Sequence, residues 1–286
     1  MTLPSRPIVE ARPIPRADPR TTLRIVACLT LLLLASSVGA QDAVPEGRGF
    51  STATLEGDWR FRLALNAWIP NAIPISVDTV ERNGSRTLDV GFILDHLGYV
   101  FPIDGEARKG TFGVYLHTLT FKLVGSVDTG SAVLKWNDAG ALIDVGVSYE
   151  LGRWNLGEGS GAPLVTVEPF AGARLLYDPV DLSETGASKT IDSLTNYVPD
   201  LGVRTFWDLT ESWNLEIEGD YGGFGVDDNR QTWQALALAG YRWPGWGVHW
   251  NIQAGYRAMR LFDLRKSSTE IKLDCRGPNV VLSMEF

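Results

Sequence analysis

The chain is poor in cysteine, histidine and basic residues, and each shortage excludes a class of protein. Of its 2 cysteines, Cys28 lies in an N-terminal segment that we expect to be removed, which leaves Cys275 alone. A single cysteine cannot form an intrachain disulfide or a cysteine metal cage. The 26 Lys and Arg residues are outnumbered by 34 Asp and Glu residues. An acidic chain is a poor nucleic-acid binder, because neutralising phosphates requires a basic surface.

Apolar runs long enough for a transmembrane helix are also missing. The run at residues 25–35 follows Arg20 and Arg24 and is shorter than the ~20 apolar residues that a spanning helix needs. Val38-Gly39-Ala40 before Gln41 fits a signal-peptidase site, which predicts a signal peptide over residues 1–40 rather than a membrane anchor. No later run reaches spanning length, so a membrane location would require strands that close into a barrel.

Apolar and polar residues alternate with a period of two along most of the remaining chain, as in strands with one apolar face. The pattern predicts an all-β fold, an up-and-down antiparallel transmembrane β-barrel over residues 59–286, after a short periplasmic segment at 41–58. Twelve strands are expected, at 59–68, 74–81, 86–92, 99–109, 111–123, 139–151, 164–177, 196–208, 212–222, 231–243, 247–260 and 269–286. If residues 69–98 form an excursion above the barrel, ten strands remain.

The predicted connections alternate between short turns and long loops, as at the periplasmic and extracellular ends of bacterial barrels. This alternation predicts that Gly110, Thr210 and Gly245 lie in the periplasm. Ser183, Asp227 and residues 124–138 are then expected outside the cell. The connection at residues 152–162 is long for a periplasmic turn.

Aromatic residues near both ends of the apolar strand faces favour lipid over water, because interfacial rings form two girdles around a membrane barrel. We expect the girdles to contain Trp213, Tyr221, Trp233, Tyr241, Trp250 and Tyr256. A soluble sandwich or lipocalin-like barrel is the alternative, but its core would prefer large aliphatic residues in mid-strand, where this chain has Ala235, Ala237 and Ala239. Phe286 ends an alternating strand and resembles the residue that the barrel assembly machinery reads.

The polar strand faces carry many charges, which we expect to form a network inside the barrel: Glu168, Arg174, Asp200, Arg204, Glu216, Glu218, Asp220, Arg242 and Arg257. Four strands share a Gly-x-Arg unit, in which glycine leaves space for a guanidinium that can fork onto carboxylates. The arginines are expected to pair with Glu168, Asp200, Glu216 and Asp220. The network is either a selectivity lining or a filling that stiffens a closed barrel.

Several of these motifs carry a resemblance. They are Trp59-x-Phe61-x-Leu63 with Trp68, the Gly-x-Arg units, Gly-Asp-Tyr-Gly-Gly-Phe-Gly at 219–225, Thr232-Trp-Gln234 and Phe286. Together they are similar to a family of uncharacterised outer-membrane β-barrel proteins from Gram-negative bacteria. The resemblance covers most of the mature chain and implies fold and location, without an activity. Asn66 stands where that family usually has Tyr, and His117 where it usually has Asp.

Candidate catalytic patterns are sparse, so we expect a non-enzymatic protein. None of the three histidines, His96, His117 and His249, has a serine two residues away, the spacing that would put both on one strand face. The expected function is a narrow cation-preferring pore or a closed structural barrel, with an outer-membrane lipid or peptide hydrolase as the alternative. No cofactor or metal site is expected, because residues 227–229 do not match a Ca²⁺ loop. The expected partners are outer-membrane lipids, lipopolysaccharide and the assembly machinery.

Overall fold

The computed structural model describes residues 59–286 except 79–82, 137–138, 158–162, 179, 185–189, 192–193 and 267–268. The expected signal peptide, residues 1–40, and the expected periplasmic segment, residues 41–58, lie outside the described residues. Among the helices of the described part, none has the length and apolar character needed to cross a bilayer.

Ten long strands form the barrel. They are β1 (Trp59–Trp68), β4 (Leu97–Lys109), β5 (Phe112–Leu123), β8 (Ala139–Tyr149), β10 (Leu164–Asp178), β13 (Leu194–Asp208), β14 (Trp213–Gly223), β15 (Gln231–Gly245), β16 (Val248–Lys266) and β17 (Thr269–Glu285). Each pairs antiparallel with the next in this order, and β1 also pairs with β17, which closes the ring. Leu63 lies opposite Gly105 on one side and Met284 on the other.

Seven shorter strands and one helix complete the described structure. They are β2 (Ala72–Asp78), β3 (Asn83–Asp89), α1 (Val90–His96), β6 (Gly125–Asp128), β7 (Ala132–Trp136), β9 (Gly152–Asn155), β11 (Val180–Glu184) and β12 (Thr190–Ile191). A single 3₁₀ turn at Val226–Asp228 joins β14 to β15.

The closed antiparallel barrel confirms the predicted fold class, and the expected number of twelve barrel strands is wrong. The predicted strands at 74–81 and 86–92 correspond in part to β2 and β3, which end at Asp78 and Asp89, and residues 90–92 form the start of α1 instead. Both strands lie outside the ring. The reason is that β2 pairs with Glu270–Leu273, in the part of β17 that extends beyond the β1 seam, and β3 pairs only with β2. The alternative of ten strands is confirmed.

Burial along the strands is inverted relative to a water-soluble protein. In β14, Glu216, Glu218 and Asp220 are buried, whereas Ile217 is 49% exposed and Tyr221 is 47% exposed. The alternation of side chains on a strand puts acids and amides inside the ring and apolar groups outside it. Charged residues are rarely buried unless they are paired, so the interior must satisfy them internally.

A cap covers the end of the barrel away from the tight turns; it consists of β2, β3, α1, β6, β7, β11 and β12. The β6–β7 hairpin is joined to β2, since the Ser131 hydroxyl donates to the Val77 carbonyl at 2.8 Å. It also packs tightly on the β2–β3 hairpin, because a Cβ on Gly84 would lie 2.4 Å from the Thr129 carbonyl oxygen. The long predicted loop 124–138 therefore contains two strands.

An apolar core fills the junction between the cap and the barrel. Val77, Leu88 and Leu134 from the cap pack with barrel residues of the same cluster, among them Leu142 and Leu176. Burying these aliphatic side chains holds the cap on the barrel, at roughly 1.5–3 kcal/mol for each fully buried side chain. The apolar contents of this end contrast with the charged contents of the rest of the interior.

The connection at residues 152–162 is partly a strand. Backbone pairing of β8 with β10 ends near Phe170, and β9 continues along β10 by pairing with Leu164–Val167. The break at Glu150–Leu151 is bridged by a hydrogen bond from the Leu151 amide to the Val167 carbonyl at 2.9 Å. The connection is long because β9, within it, pairs with β10 and extends the barrel wall.

Candidate functional site: the barrel interior

The centre of the charge network is Arg204, which reaches across the lumen. Its Nη1 and Nη2 donate to the two carboxylate oxygens of Glu106 at 2.8 and 2.9 Å, and its Nε donates to Glu168 at 3.0 Å. Glu168 also accepts two hydrogen bonds from Arg108. The strands of Arg204 and Glu106, β13 and β4, lie four steps apart in the ring of ten. These buried side chains therefore form a bridge that spans the bore.

A second bridge runs from β1. Arg62 lies 3.3 Å from Glu106 and 3.8 Å from Glu216 on β14, and it donates to Gln253 at 3.2 Å. Gln253 in turn donates to Glu216 at 3.2 Å. The two bridges share Glu106, so both are parts of one connected network.

A separate cluster surrounds Arg174. Its Nε donates to Asp144 at 2.8 Å, and its two terminal nitrogens donate to Asp220 at 3.2 and 3.0 Å. Asp200 lies beside this cluster and is 3% exposed, yet its Oδ1 has no hydrogen-bond partner among the described residues. The cavity beside these aspartates is also lined by His117 and Arg204.

The remaining predicted network residues include Arg257 and Glu218, which bind the Gln234 amide, and Arg242, which forms an ion pair near the tight turns. Arg257 donates to Gln234 at 2.7 Å, Gln234 donates to Glu218 at 2.6 Å, and the Arg257 guanidinium lies 4.8 Å from the Trp68 ring centroid. Arg242 forms a 3.0 Å ion pair with Asp208. All nine predicted network residues are buried inside the ring.

The pairing differs from the expected scheme in two respects. Glu168 and Asp220 do accept bonds from Gly-x-Arg arginines, but Glu216 lies near Arg62, and Asp200 has no described salt bridge. Also, the glycine notches are not occupied by guanidinium groups. A Cβ on Gly202 would lie 2.2 Å from the Phe170 ring. The Phe170 ring on the neighbouring strand needs the space at Gly202, and at Gly240 the space is taken by Gln253.

Sequence reasoning missed several interior groups that complete the network. Asp208, Asn214, Asn251 and Glu285 are buried at the tight-turn end, and Asn214 and Asn251 are hydrogen-bonded at 3.0 Å. Asp208, Asn214 and Asn251 share strand faces with Arg204, Glu216 and Arg257, and Glu285 lies on the polar face of β17. The two-residue alternation therefore places all four inside the ring. The pattern identifies a face, but it does not identify which neighbours on that face touch.

Asn66 and His117, the two departures from the family pattern, both lie in the lumen. Asn66 donates to Asp104 at 2.6 Å and accepts from Asn279 at 2.9 Å. The Nε2 atom of His117 lies 3.7 Å from Glu106. Both residues therefore contact the polar interior network.

Small cavities lie among the described residues of the barrel interior. Two cavities of about 10 Å³ border His117, a third of about 20 Å³ borders Arg242, and a fourth of about 30 Å³ borders Asp104 and Leu238. A water molecule needs roughly 10–15 Å³ of such space. The cavities among the described residues thus have room for single water molecules.

The predicted girdle residues lie on the outer face. Trp213 and Tyr241 are opposite each other near the tight turns with ring centroids 5.3 Å apart, and Tyr221 and Trp233 are opposite each other toward the cap. Tyr256 lies opposite Ala237, midway between the two levels. Trp250 lies near the tight turn of its strand and contacts Trp246, with centroids 6.0 Å apart.

Outside the barrel, ionisable groups near the tip of the β16–β17 extension are paired. Arg230 contacts Glu270, and Lys272 lies 2.7 Å from the same carboxylate. The hydrogen bond from Lys272 lowers the pKa of Glu270 below its ordinary value. Within the described residues, no three Asp, Glu, His or Cys side chains are grouped in a way that could hold a metal ion.

Comparison with known proteins yields distant structural likenesses and no sequence family. No protein-family model matches the chain, and no curated protein matches it. The outer membrane protease OmpT from Escherichia coli has 11% identity and a TM-score of 0.41, covering 82% of this chain and 100% of that one. The attachment invasion locus protein Ail of Yersinia pestis has 7% identity and a TM-score of 0.31, covering 80% and 100%. The translocator domain of the autotransporter NalP from Neisseria meningitidis has 11% identity and a TM-score of 0.29, covering 93% and 97%. No residue role follows from similarities this low.

Proposed function

We propose that this protein is a non-enzymatic barrel of the Gram-negative outer membrane with a closed, non-conducting lumen. The membrane location is supported by the outer face, where apolar side chains such as Val147 at 55% and Leu201 at 58% exposure point away from the ring. In water such a continuous apolar surface would be costly, whereas in lipid it is required. Lipid and lipopolysaccharide are then its immediate surroundings.

The closed lumen rests chiefly on one observation, the fork of Arg204 onto Glu106 across the bore. A conducting pore needs a continuous water path, and a buried bidentate ion pair occupies that path with two immobile side chains. The interior cavities are only water-sized, and the apolar core under the cap is a second barrier. A structural or stabilising role in the membrane fits these features best.

Planar-bilayer recording of the refolded mature chain tests the closed lumen. We expect no discrete conductance steps, with a general porin in the same bilayers as positive control. Reproducible cation-selective steps would instead identify a narrow pore. That is the selectivity expected from the lumenal acids, because rings of Asp and Glu favour cations. Clear anion selectivity would contradict both proposals.

Cell fractionation tests the location. We expect the protein in the outer-membrane fraction and a heat-dependent change in its migration on SDS gels, as for a barrel that resists SDS until boiled. Recovery in the periplasmic fraction without detergent would refute the membrane assignment.

A hydrolase would need an activated nucleophile beside a histidine. Among the described residues, no histidine is hydrogen-bonded to a serine or threonine hydroxyl. His96 bonds to the Phe92 carbonyl at 2.7 Å, and His117 lies beside Glu106. We therefore propose that the protein is not an enzyme. Lipase or protease activity that is lost in His117→Ala or His249→Ala would overturn this proposal.

Assembly is proposed to depend on the seam between β1 and β17. The amide and carbonyl of Phe286 bond to Phe61 at 2.9 and 2.8 Å, and the two rings stack with centroids 5.8 Å apart. We expect Phe286→Ala to lower the amount of assembled barrel, both by weakening this seam and by impairing recognition by the assembly machinery. Unchanged outer-membrane levels of Phe286→Ala would argue against both effects.

A further inference from the structure

The hydrogen-bonded ladder between β1 and β4 stops before these strands reach the cap. Its last rung among the described residues joins Leu65 and Ile103. Both strands continue beyond this rung, since β1 reaches Trp68 and β4 begins at Leu97. The next residue of β4 toward the cap is Pro102, which has no amide hydrogen to donate to a neighbouring strand. The missing donor explains why the ladder ends at this point.

Backbone groups on the two facing edges lack a strand partner beyond the last described rung. Phe61 and Phe286 exchange both of their backbone hydrogen bonds, so this residue of β1 points toward β17. Because successive residues of a strand point to opposite neighbours, the amides and carbonyls of Asn66 and Trp68 point toward β4. Continuing the register would place Trp68 opposite Val100, but the ladder does not extend that far. At membrane depth, an unpaired edge is tolerated only where protein covers it or where it lines a polar cavity.

The interior is open to its surroundings beside these edges. By strand alternation, Val100 belongs to the inner face of β4 with Glu106, yet it is 44% exposed. The His117 side chain, which also lies inside the ring, is 25% exposed. A cavity of about 10 Å³ beside His117 is lined by Trp68 from one edge and by Pro102 from the other. The end of the ladder thus coincides with access from outside to the polar interior.

The space between residues 66–68 of β1 and residues 98–102 of β4, here named the lateral crevice, has an apolar mouth and a polar inner end. Exposed apolar side chains on or next to the two strands flank the mouth: Leu65, Ile69, Tyr99 and Phe101. At the inner end, Trp68 is 7% exposed, and its indole N–H has no acceptor among the described residues. Asp104 and Arg257 both line the cavity, so a charged ligand of either sign would meet a like charge.

We propose that the lateral crevice binds a single-chain amphiphile with a small uncharged head group, of the long-chain alcohol class, from the surrounding bilayer. The cavity has room for one group the size of a water molecule, which fits a hydroxyl. The hydroxyl oxygen accepts from an unpaired N–H of the two edges, and its hydrogen bonds to an unpaired carbonyl. The chain lies over the apolar mouth and continues into the lipid. This inference rests on the proposed membrane location, and it leaves the bridge at Arg204 closed.

Photolabelling in lipid vesicles tests the site. The mature chain is refolded in phosphatidylcholine vesicles containing undecan-1-ol that carries a diazirine close to the hydroxyl, and the labelled residues are identified by mass spectrometry. We expect saturable label on Trp68, Val100 or Pro102, suppressed by an excess of unlabelled undecan-1-ol. Label on an outer residue such as Val147 should resist this competition, because it reports only partitioning into lipid.

The variant Pro102→Ala should reduce the label on the inner residues. Its new amide hydrogen can bond toward Asn66, which would extend the ladder and narrow the crevice. Pro169→Ala is the matched control, since Pro169 is a strand proline on β10, opposite Val203 and away from the crevice. The control should keep the wild-type labelling.

Absence of label on the inner residues of an inserted barrel, shown to be folded by its heat-dependent migration on gels, would overturn the proposal. Failure of the membrane location would appear instead in cell fractionation. Equal inner labelling by a diazirine-bearing undecane without the hydroxyl would overturn the recognition of a head group. Inner label that does not saturate would mean partitioning alone and would also overturn the site. The comparison of the two probes on the wild type decides the matter even if Pro102→Ala does not fold.

Discussion

At the scale of single residues, the interior is held by ion pairs in which each charge depends on its partner. Arg204→Ala would leave Glu106 and Glu168 short of hydrogen bonds in a buried site, and breaking a buried pair in this way costs about 3–5 kcal/mol. Arg153→Ala should cost less, because that guanidinium is 22% exposed and water can replace it beside Glu150. Urea unfolding of the barrel in lipid vesicles measures both.

Removing both members of the pair separates charge loss from packing loss. In Arg204→Met with Glu106→Gln, neither unpaired charge remains at this contact, so the double variant should regain part of the stability that Arg204→Met loses. A double variant as unstable as the sum of its parts would show that the two side chains act independently.

The glycines of the interior provide a second residue-scale prediction. Gly202→Ala should destabilise the barrel, because the new methyl group would lie 2.2 Å from the Phe170 ring and 2.6 Å from the Gly219 carbonyl oxygen. Gly219→Ala on the outer face should be tolerated, since its nearest neighbour, the Gln234 carbonyl oxygen, is 3.7 Å away. The urea midpoints of the two variants would be compared, and equal midpoints would contradict the packing argument.

The sequence could predict which residues lie inside but not which ones touch. Strand alternation identifies the inner face of Arg204 and Glu106 separately, because it depends only on neighbouring residues. Their contact joins positions 98 residues apart and depends on the number of strands between them and on the stagger of the ring. Gly202 was likewise recognised as a notch, while the ring of Phe170 that occupies it comes from the adjacent strand.

At the scale of elements, the cap shows that strands can be predicted close to their real positions and still be counted wrongly as part of the ring. The alternation holds in β2 and β3, because Ile75, Val77 and Leu88 are buried in the junction core. What local pattern cannot reveal is that β17 extends far enough to pair with β2 above the ring. The four-stranded sheet of β6, β7, β11 and β12 was missed because each of these strands has 5 or fewer residues.

Packing in the junction core should stabilise the cap on the barrel, whereas the barrel itself should stay folded without it. Leu134 is 2% exposed in that core, so Leu134→Ala should cost about 2–5 kcal/mol of cap packing. Limited proteolysis should then cut within 124–138 faster, while the heat-dependent migration of the barrel on gels is retained. Val124→Ala is the control, since Val124 is 47% exposed. Loss of the barrel band in Leu134→Ala would mean that cap and barrel fold as one cooperative unit.

At the scale of the whole molecule, the distribution of polarity distinguishes three zones. Charged and amide side chains fill the barrel from the tight turns to mid-height, an apolar core fills the junction with the cap, and apolar side chains cover the outside. The composition alone could not reveal this arrangement, because a soluble barrel of equal composition could place the same residues in the opposite sense. It is the mid-strand alanines and paired aromatics on the outer face that favour lipid.

The two ends of the molecule predict its orientation in the membrane. The tight turns at Gly110 and Thr210 are typical of the periplasmic end. The cap, which contains Ser183, and the 3₁₀ turn that contains Asp227 are then expected outside the cell. Single cysteines would be introduced at 110, 183 and 227 in a Cys275→Ser background and labelled on intact cells with a membrane-impermeant maleimide. We expect labelling at 183 and 227 and at 110 only after the cells are lysed. Labelling at 110 but not at 183 on intact cells would reverse the orientation and place the cap in the periplasm.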